Sequence, residues 1–305
     1  MTDILFVDRT SKKTKQEKVY GGAFLDLLYG NGMLSKWFSP FLRYIVAQWR
    51  WMSCFYGWLQ KTRLSRCKIV PFIEKFHVDP REFLEPVNSF KSFNDFFIRR
   101  LKETARPIAT GYDIAIVPAD GRCLVFENIE NSDGFLIKGV KFCLEEFLVD
   151  RVLCEQYKHG AMAIIRLCPS DYHRFHFPSN CLPQAARPID GALYSVNPVA
   201  LKKDIAILTK NKREITVLLT KTFGQILYVE IGATYVGSIY QTFIPNEFYA
   251  KGDEKGYFSF GGSCIVLFFE PGRIQFDQDL LDASRKNMEM RCLMGQSLGR
   301  SFIPF

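Results

Sequence analysis

Gly261-Gly262-Ser263 runs straight into Cys264-Ile265-Val266-Leu267-Phe268-Phe269, an apolar stretch of strand length with no charged residue in it. Such a run reads as a strand buried in a core. The glycines ahead of it admit backbone conformations closed to other residues and let the Ser263 hydroxyl approach the Gly262 carbonyl with no side chain in the way. That arrangement permits an N→O acyl shift, and the strand would anchor the new N-terminus that such a cut creates. Gly-Ser is also a common turn dipeptide, so the feature carries weight only in company.

Its company includes Leu167-Cys168-Pro169-Ser170-Asp171-Tyr172-His173-Arg174-Phe175-His176-Phe177-Pro178, which holds two of the four histidines in the chain. A serine needs a neighbouring base to become a nucleophile, and imidazole carries protons near neutral pH. The same pair also reads as hydrogen-bonded structural histidines or as the start of a His-x-x-His metal site, although two nitrogens do not close one. Residues three apart face opposite sides of an extended strand and share a face in a helical turn, so His173 and His176 are candidates for separate jobs. A third piece is Val117-Pro118-Ala119-Asp120-Gly121-Arg122. Asp-Gly commonly just makes a turn; with a base and a serine elsewhere, Asp120 is a candidate to orient an imidazole.

Together these segments resemble the phosphatidylserine decarboxylases, pyruvoyl-dependent enzymes that make phosphatidylethanolamine. Pro118-Ala119-Asp120-Gly121, the stretch 169–178 and Gly261-Gly262-Ser263-Cys264 occur in the family's order. Supporting signatures are Phe93-Asn94-Asp95-Phe96-Phe97-Ile98-Arg99-Arg100-Leu101-Lys102, Ile137-Lys138-Gly139 with Leu144-Glu145-Glu146-Phe147-Leu148, the segment 232–239 and the segment 251–258. The likeness runs from about residue 80 to the end. The family's cleavage motif usually reads Leu-Gly-Ser-Thr; here Gly261 and Cys264 replace the outer residues, which flank the scissile bond without performing its chemistry.

The resemblance implies that Asp120, His176 and Ser263 form the triad that cuts the proenzyme after Gly262, giving a β chain 1–262 and an α chain 263–305 that remain together as a heterodimer. Ser263 would attack the Gly262 carbonyl to form an ester; elimination, hydrolysis and loss of ammonia would leave a pyruvoyl group, with no metal required. That group would form a Schiff base with the serine amine of phosphatidylserine, and carbon dioxide would leave. The family pattern assigns His173 to the decarboxylation stage, a division that the residues alone do not make. A homo-oligomer is left open. Two other Gly-Ser features are set aside. Gly237-Ser238 belongs to a segment that precedes the cleavage motif and is not cut in the family. Gly295-Gln296-Ser297-Leu298-Gly299 matches a hydrolase nucleophile elbow, but no acidic residue or histidine follows it in the chain.

Charge is uneven. Residues 1–107 carry 19 Lys and Arg against 10 Asp and Glu, whereas residues 108–305 carry 21 against 22. The basic third also holds all four tryptophans, Trp37, Trp49, Trp51 and Trp58, with Leu42, Ile45, Trp49, Met52, Tyr56 and Leu59 at helical spacing and Arg43 and Arg50 on another face. This pattern suits an amphipathic helix in an anionic interface equally with a helix packed on its own domain or a dimer contact. A lipid substrate favours a peripheral site on the cytoplasmic side of the cell membrane. Charges interrupt every run long enough to span a bilayer, and the start of the chain lacks a signal-peptide apolar run. Nine cysteines without regular spacing fit reduced thiols in a cytosolic setting. No module accompanies the basic residues that would mark a nucleic-acid binder. Lys138 and the basic third are candidates for phosphate contact.

The expected architecture is α+β, with a basic, Trp-rich helical region over 1–107 and a mostly antiparallel β-rich catalytic domain over 108–305. Strands are expected at 114–117, 123–126, 161–166, 205–208, 215–219, 226–231 and 264–269. Helix breaks are expected near residues 30–32, Pro40, Pro71, Pro80 and Pro86. Two other functions remain on the page: an uncleaved membrane-associated binding protein, and a metal-dependent hydrolase using Cys168, Asp171, His173 and His176.

Overall fold

The computed structural model describes residues 4–17, 57–129, 143–194, 196, 207–233, 239–261 and 263–302. Its strands are β1 Leu5–Asp8, β2 Thr14–Gln16, β3 Ile114–Ile116, β4 Gly121–Phe126, β5 Ala161–Leu167, β6 Arg174–His176, β7 Leu182–Pro183 and β8 Arg187–Ile189. They continue with β9 Arg213–Thr220, β10 Gly224–Gly232, β11 Ile239–Gln241, β12 Glu254–Phe258, β13 Ser263–Phe269, β14 Ile274–Phe276, β15 Glu289–Cys292 and β16 Ser297–Ser301. The α-helices are α1 Ile69–Phe76, α2 Phe93–Phe97, α3 Leu144–Leu148, α4 Arg151–Tyr157, α5 Ile207–Lys210 and α6 Gln278–Arg285.

Ten strands form one sheet in the order β2-β1-β15-β4-β5-β13-β10-β9-β7, with β8 also on β9; two smaller sheets are β11-β12-β6 and β14-β16-β3. Among the described strands every pairing is antiparallel except β1 with β15. The fold is therefore α+β and mostly antiparallel, as expected. Side chains alternate across a strand, so β4, β5, β10 and β13 feed two cores at once. Val125, Ile165, Tyr228 and Ile265 pack on one face, and Leu124, Ile164, Val229 and Val266 on the other. A strand apolar at every position needs this double burial.

The apolar runs expected as strands appear as β3, β4, β5, β9, β10 and β13. The one expected at 205–208 does not: Ile207–Lys210 is a helix, α5. So short an apolar run carries no period that separates a turn of helix from a strand. Here Asn211 N closes on Ile207 O, while Ile207 and Leu208 join the core that holds Phe147. Pro71, read as a break, lies in the first turn of α1, where no intrahelical partner awaits its missing N–H. The β1–β2 hairpin was not anticipated; Leu5–Asp8 lies along β15 and so brings the chain's start into the main sheet. Most of the Trp-rich stretch 42–59 lies outside the described residues. Trp58 is inside them and exposed, and among the described residues no helix is long and apolar enough to cross a membrane.

Before β3 the chain forms short helices around a phenylalanine cluster of Phe72, Phe83, Phe90, Phe93, Phe96 and Phe97, into which Phe260 inserts from the far end of the sequence. Ser92 caps α2 by accepting from Asp95 N at 3.1 Å. The Phe96 ring centroid lies 5.7 to 6.0 Å from those of Phe72, Phe83, Phe90 and Phe93. Phe96→Ala is expected to cost about 3–5 kcal/mol, read as a lower denaturant midpoint of the intact chain; a loss under ~1 kcal/mol would contradict the cluster's role.

Candidate active site

Ser263 opens β13 and is held from both sides, opposite Leu167 of β5 and Gly232 of β10. Its side chain is fully buried, and Oγ has no hydrogen-bond partner among the described residues. Asn211 fixes the neighbouring backbone by donating from Nδ2 to Gly232 O at 2.8 Å. Gly262 lies outside the described residues. Gly261 has φ +138°, a conformation that L side chains rarely adopt, so the departure from leucine at this position has a backbone reason.

His173 precedes β6 and His176 ends it, and their rings occupy different surroundings. His173 Nδ1 meets Asp171 O at 2.9 Å, and its ring centroid is 3.8 Å from that of Phe97. His176 Nδ1 meets Gly252 O at 2.9 Å, with the ring stacked on Tyr172 at 5.8 Å. A carbonyl only accepts, so each Nδ1 carries the proton and each Nε2 presents a lone pair. Both Nε2 atoms are buried without a partner among the described residues. Burial pushes His173 down to about 3 and His176 below the ordinary value of 6.5, so both rings rest neutral and are poised to accept.

Asp120 follows β3 in a turn whose Pro118 carbonyl accepts from His176 N at 2.8 Å, which makes the two residues backbone neighbours. Its carboxylate is engaged elsewhere. Arg106 forks onto it at 2.9 Å through Nε and 2.6 Å through Nη2, and Met294 N donates at 2.8 Å. Asp120 therefore reaches His176 through its charge, which favours the imidazolium once a proton arrives. Arg106, which also holds Glu82 at 3.1 Å, was not singled out from the sequence.

Two further residues went unassigned although their motif was noticed. Asn94 Oδ1 accepts from Ser259 Oγ at 2.7 Å and Phe260 N at 2.9 Å, and so fixes the loop that leads to the glycines. Arg99 Nη2 donates to Ser170 O at 3.2 Å and Asp171 O at 3.3 Å, fixing the loop that carries His173. One segment thus clamps both approaches to the site. Asp171 is structural here: its carboxylate accepts from Cys168 N at 2.8 Å and faces Arg122 at 3.3 Å. Cys168 Sγ accepts from Arg166 at 3.3 Å. Two of the four side chains of the metal-hydrolase reading, Cys168 and Asp171, are thus held by the protein, and no group of three or more His, Cys, Asp or Glu among the described residues is arranged to hold a metal ion. Ser297 starts strand β16 and is not on a strand-to-helix elbow. Gly237-Ser238 and Lys138 lie outside the described residues.

A pyruvoyl group fits this position. It is no larger than serine, Gly232 opposite leaves room, and unpartnered polar atoms are already buried there.

Residues 93–300 match the family model described as phosphatidylserine decarboxylase. A phosphatidylserine decarboxylase proenzyme of Chlamydia pneumoniae is 48% identical over 97% of both chains. Proteins of the same description from Chlamydia trachomatis and Chlamydia felis are each 44% identical, over 98% and 99% of both chains respectively. The match takes in the loop of Asp120, the strand of His176 and the head of β13 in one span, and the chain belongs to the phosphatidylserine decarboxylase family.

Proposed function

We propose that this chain is a phosphatidylserine decarboxylase proenzyme that cuts itself between Gly262 and Ser263 and then converts phosphatidylserine to phosphatidylethanolamine and carbon dioxide. The observation that carries the reading is the Ser263 hydroxyl, buried without a partner at the head of a strand locked between two others. Buried hydroxyls rarely go unpaired, and one left so beside a diglycine is set for chemistry rather than for stability.

In the first stage Ser263 Oγ bonds to the Gly262 carbonyl carbon, the Gly262–Ser263 amide C–N bond breaks, and the hydroxyl proton passes through His176 Nε2 to the freed nitrogen. Asp120 stabilises the charged ring during the transfer. Loss of the Ser263 α-proton then expels the Gly262 carboxylate, and water replaces the nitrogen, which leaves as ammonia. The pyruvoyl group so made would supply an electrophilic carbonyl for the lipid's serine amine and a sink for the electron pair left by carbon dioxide. His173, neutral and walled by Phe97, holds a lone pair with which to move a proton at that stage.

The two pieces stay together because the second is woven into the first: β13 lies between β5 and β10, β15 between β1 and β4, and β16 on β3. The pieces β 1–262 and α 263–305 thus make a heterodimer. The division into a basic region over 1–107 and a catalytic domain over 108–305 belongs to the same reading. So does peripheral attachment to the cytoplasmic face of the membrane, supported by Trp58, Leu64 and Val70 exposed beside Lys61, Arg63 and Arg66.

Ser263→Ala is expected to stay whole on denaturing gels while the wild type splits, and to release no carbon dioxide from phosphatidylserine vesicles. A wild type that stays whole yet binds the vesicles would favour the lipid-binding alternative. His176→Ala is expected to remain mostly uncut, whereas His173→Ala is cut but loses at least about a hundredfold in carbon dioxide release. Because burial lowers His176, its neutral form survives acidification. The splitting rate, followed across pH in freshly made chain, is expected to reach half its maximum below the ordinary histidine value of 6.5; a midpoint above that value would contradict a buried neutral base.

A further inference from the structure

The strand β12 does not pair evenly with β6. Tyr257 stands opposite Arg174, Gly256 opposite Phe175 and Glu254 opposite His176, so Lys255 is an extra residue that the ladder steps over. Such a bulge re-aims side chains, and bulges gather beside active sites. Simple alternation would set Glu254 and Tyr257, three positions apart, on opposite faces. The bulge brings them to one face. Lys255 goes into the core, fully buried, where Nζ donates to Glu230 Oε1 and to Thr216 Oγ1 at 3.0 Å. Glu254 comes out on the face of β6 that carries Arg174 and His176. Arg174 Nη1 donates to its two oxygens at 2.9 and 2.8 Å, and the same guanidinium lies 5.3 Å from the centre of the Tyr257 ring. Gly256 lets the strands close: a Cβ there would collide with Tyr240 O and the Phe175 ring.

His176 is therefore faced by a carboxylate that the maturation chemistry above leaves out. Residues directly opposite on antiparallel strands hold their Cβ atoms about 4.5–5.5 Å apart. Other charges act on the ring from its own strand, through Arg174, and from the turn after β3, through Asp120 with Arg106 forked onto it. Tyr172 stacks on the ring, Gly252 O holds Nδ1, and the Asp253 carboxylate is engaged by Ala250 N at 2.8 Å. Burial pulls His176 down; the Gly252 carbonyl, then Glu254, then Asp120 act against it, and Arg174 adds to the fall. Of the two carboxylates Glu254 acts the more strongly on the ring, although the motifs single out Asp120.

We propose that Glu254 is a positioning residue of self-cleavage: set opposite His176 by the bulge, its carboxylate offsets the Arg174 cation and stabilises the imidazolium that forms while the Ser263 hydroxyl proton rests on Nε2. This rests on the reading of His176 as the base that serves Ser263. It adds to that reading a second carboxylate, supplied by β12 rather than by the turn after β3.

The test follows splitting of the full chain, freshly made in a cell-free system and moved into buffers on either side of the ordinary histidine value of 6.5, so it reads the cut and not decarboxylation. The cut needs His176 neutral; its rate therefore climbs with pH to a plateau, and the midpoint of the climb marks the ring. Glu254→Gln removes the negative charge at nearly constant shape and makes the imidazolium harder to form. Its midpoint is expected to fall by about half a pH unit or more, with a plateau rate about threefold or more below wild type. Arg174→Met removes the positive charge of the same ion pair, and its midpoint is expected to rise. Glu254→Gln with Arg174→Met is expected to lie between the two. Glu254→Asp keeps the charge and is expected to hold its midpoint within about 0.3 pH unit of wild type, even where the shorter side chain slows the cut. Loss of a purely structural ion pair would slow both single variants without driving their midpoints apart. Cooperatively melting single variants whose midpoints coincide overturn the proposal, as does a Glu254→Gln midpoint above that of the wild type. A wild type that stays whole, or a His176→Ala chain that splits as fast as wild type, overturns it together with the reading beneath it.

Discussion

The pairing of β13 with β5 and β10 is the constraint on which the site depends. Side chains alternate with a period of two, so a slip of one residue would turn Ser263 to the opposite core and expose every packed residue of the strand to the wrong neighbours. Ile265 and Leu267 on one face, and Cys264, Val266 and Phe268 on the other, are all fully buried, so both faces resist the slip. The register therefore fixes where the Ser263 hydroxyl lies. The described pairings of β13 run from Ser263 to Phe269, so a cut ahead of the strand would leave them intact.

Around that anchor the fold uses polar side chains to hold loops, since loop backbone cannot rely on sheet pairing. Asn94 and Arg99 reach from the aromatic module to the loops before Ser263 and before His173. Arg122 and Asp171 pin the turn after β5, while Arg166 ties Glu17 at 2.8 Å and Glu289 at 2.6 Å across strands of both future chains. The buried polar atoms without a partner among the described residues include both imidazole Nε2 atoms and the Ser263 hydroxyl.

Much of this was legible in the sequence because it rests on local pattern. The strands β3, β4, β5, β9, β10 and β13 follow from apolar runs between turn residues, and the motifs of Asp120, the histidine pair and Ser263 identify the family. What was not legible depends on distant partners. The β1–β2 hairpin is short and flanked by charge, and it is the pairing with β15 that takes Leu5–Asp8 into the main sheet. Ile207–Lys210 turns helical for want of a period to read. Arg106 on Asp120, the Gly252 carbonyl that sets the His176 tautomer, and Lys255 under Glu230 are contacts that no local pattern in the chain displays. Nothing in the spacing of Glu230 and Lys255 announces their pairing.

The most direct test of the account is the intact mass of the small fragment from purified protein under denaturing conditions. A fragment spanning residues 263–305 that weighs one ammonia less than the same chain begun with serine is the expected result, since it records both the cut and the ketone. A fragment with the full serine mass, or one that begins elsewhere, would contradict the claim that Ser263 is the residue the fold is arranged to transform.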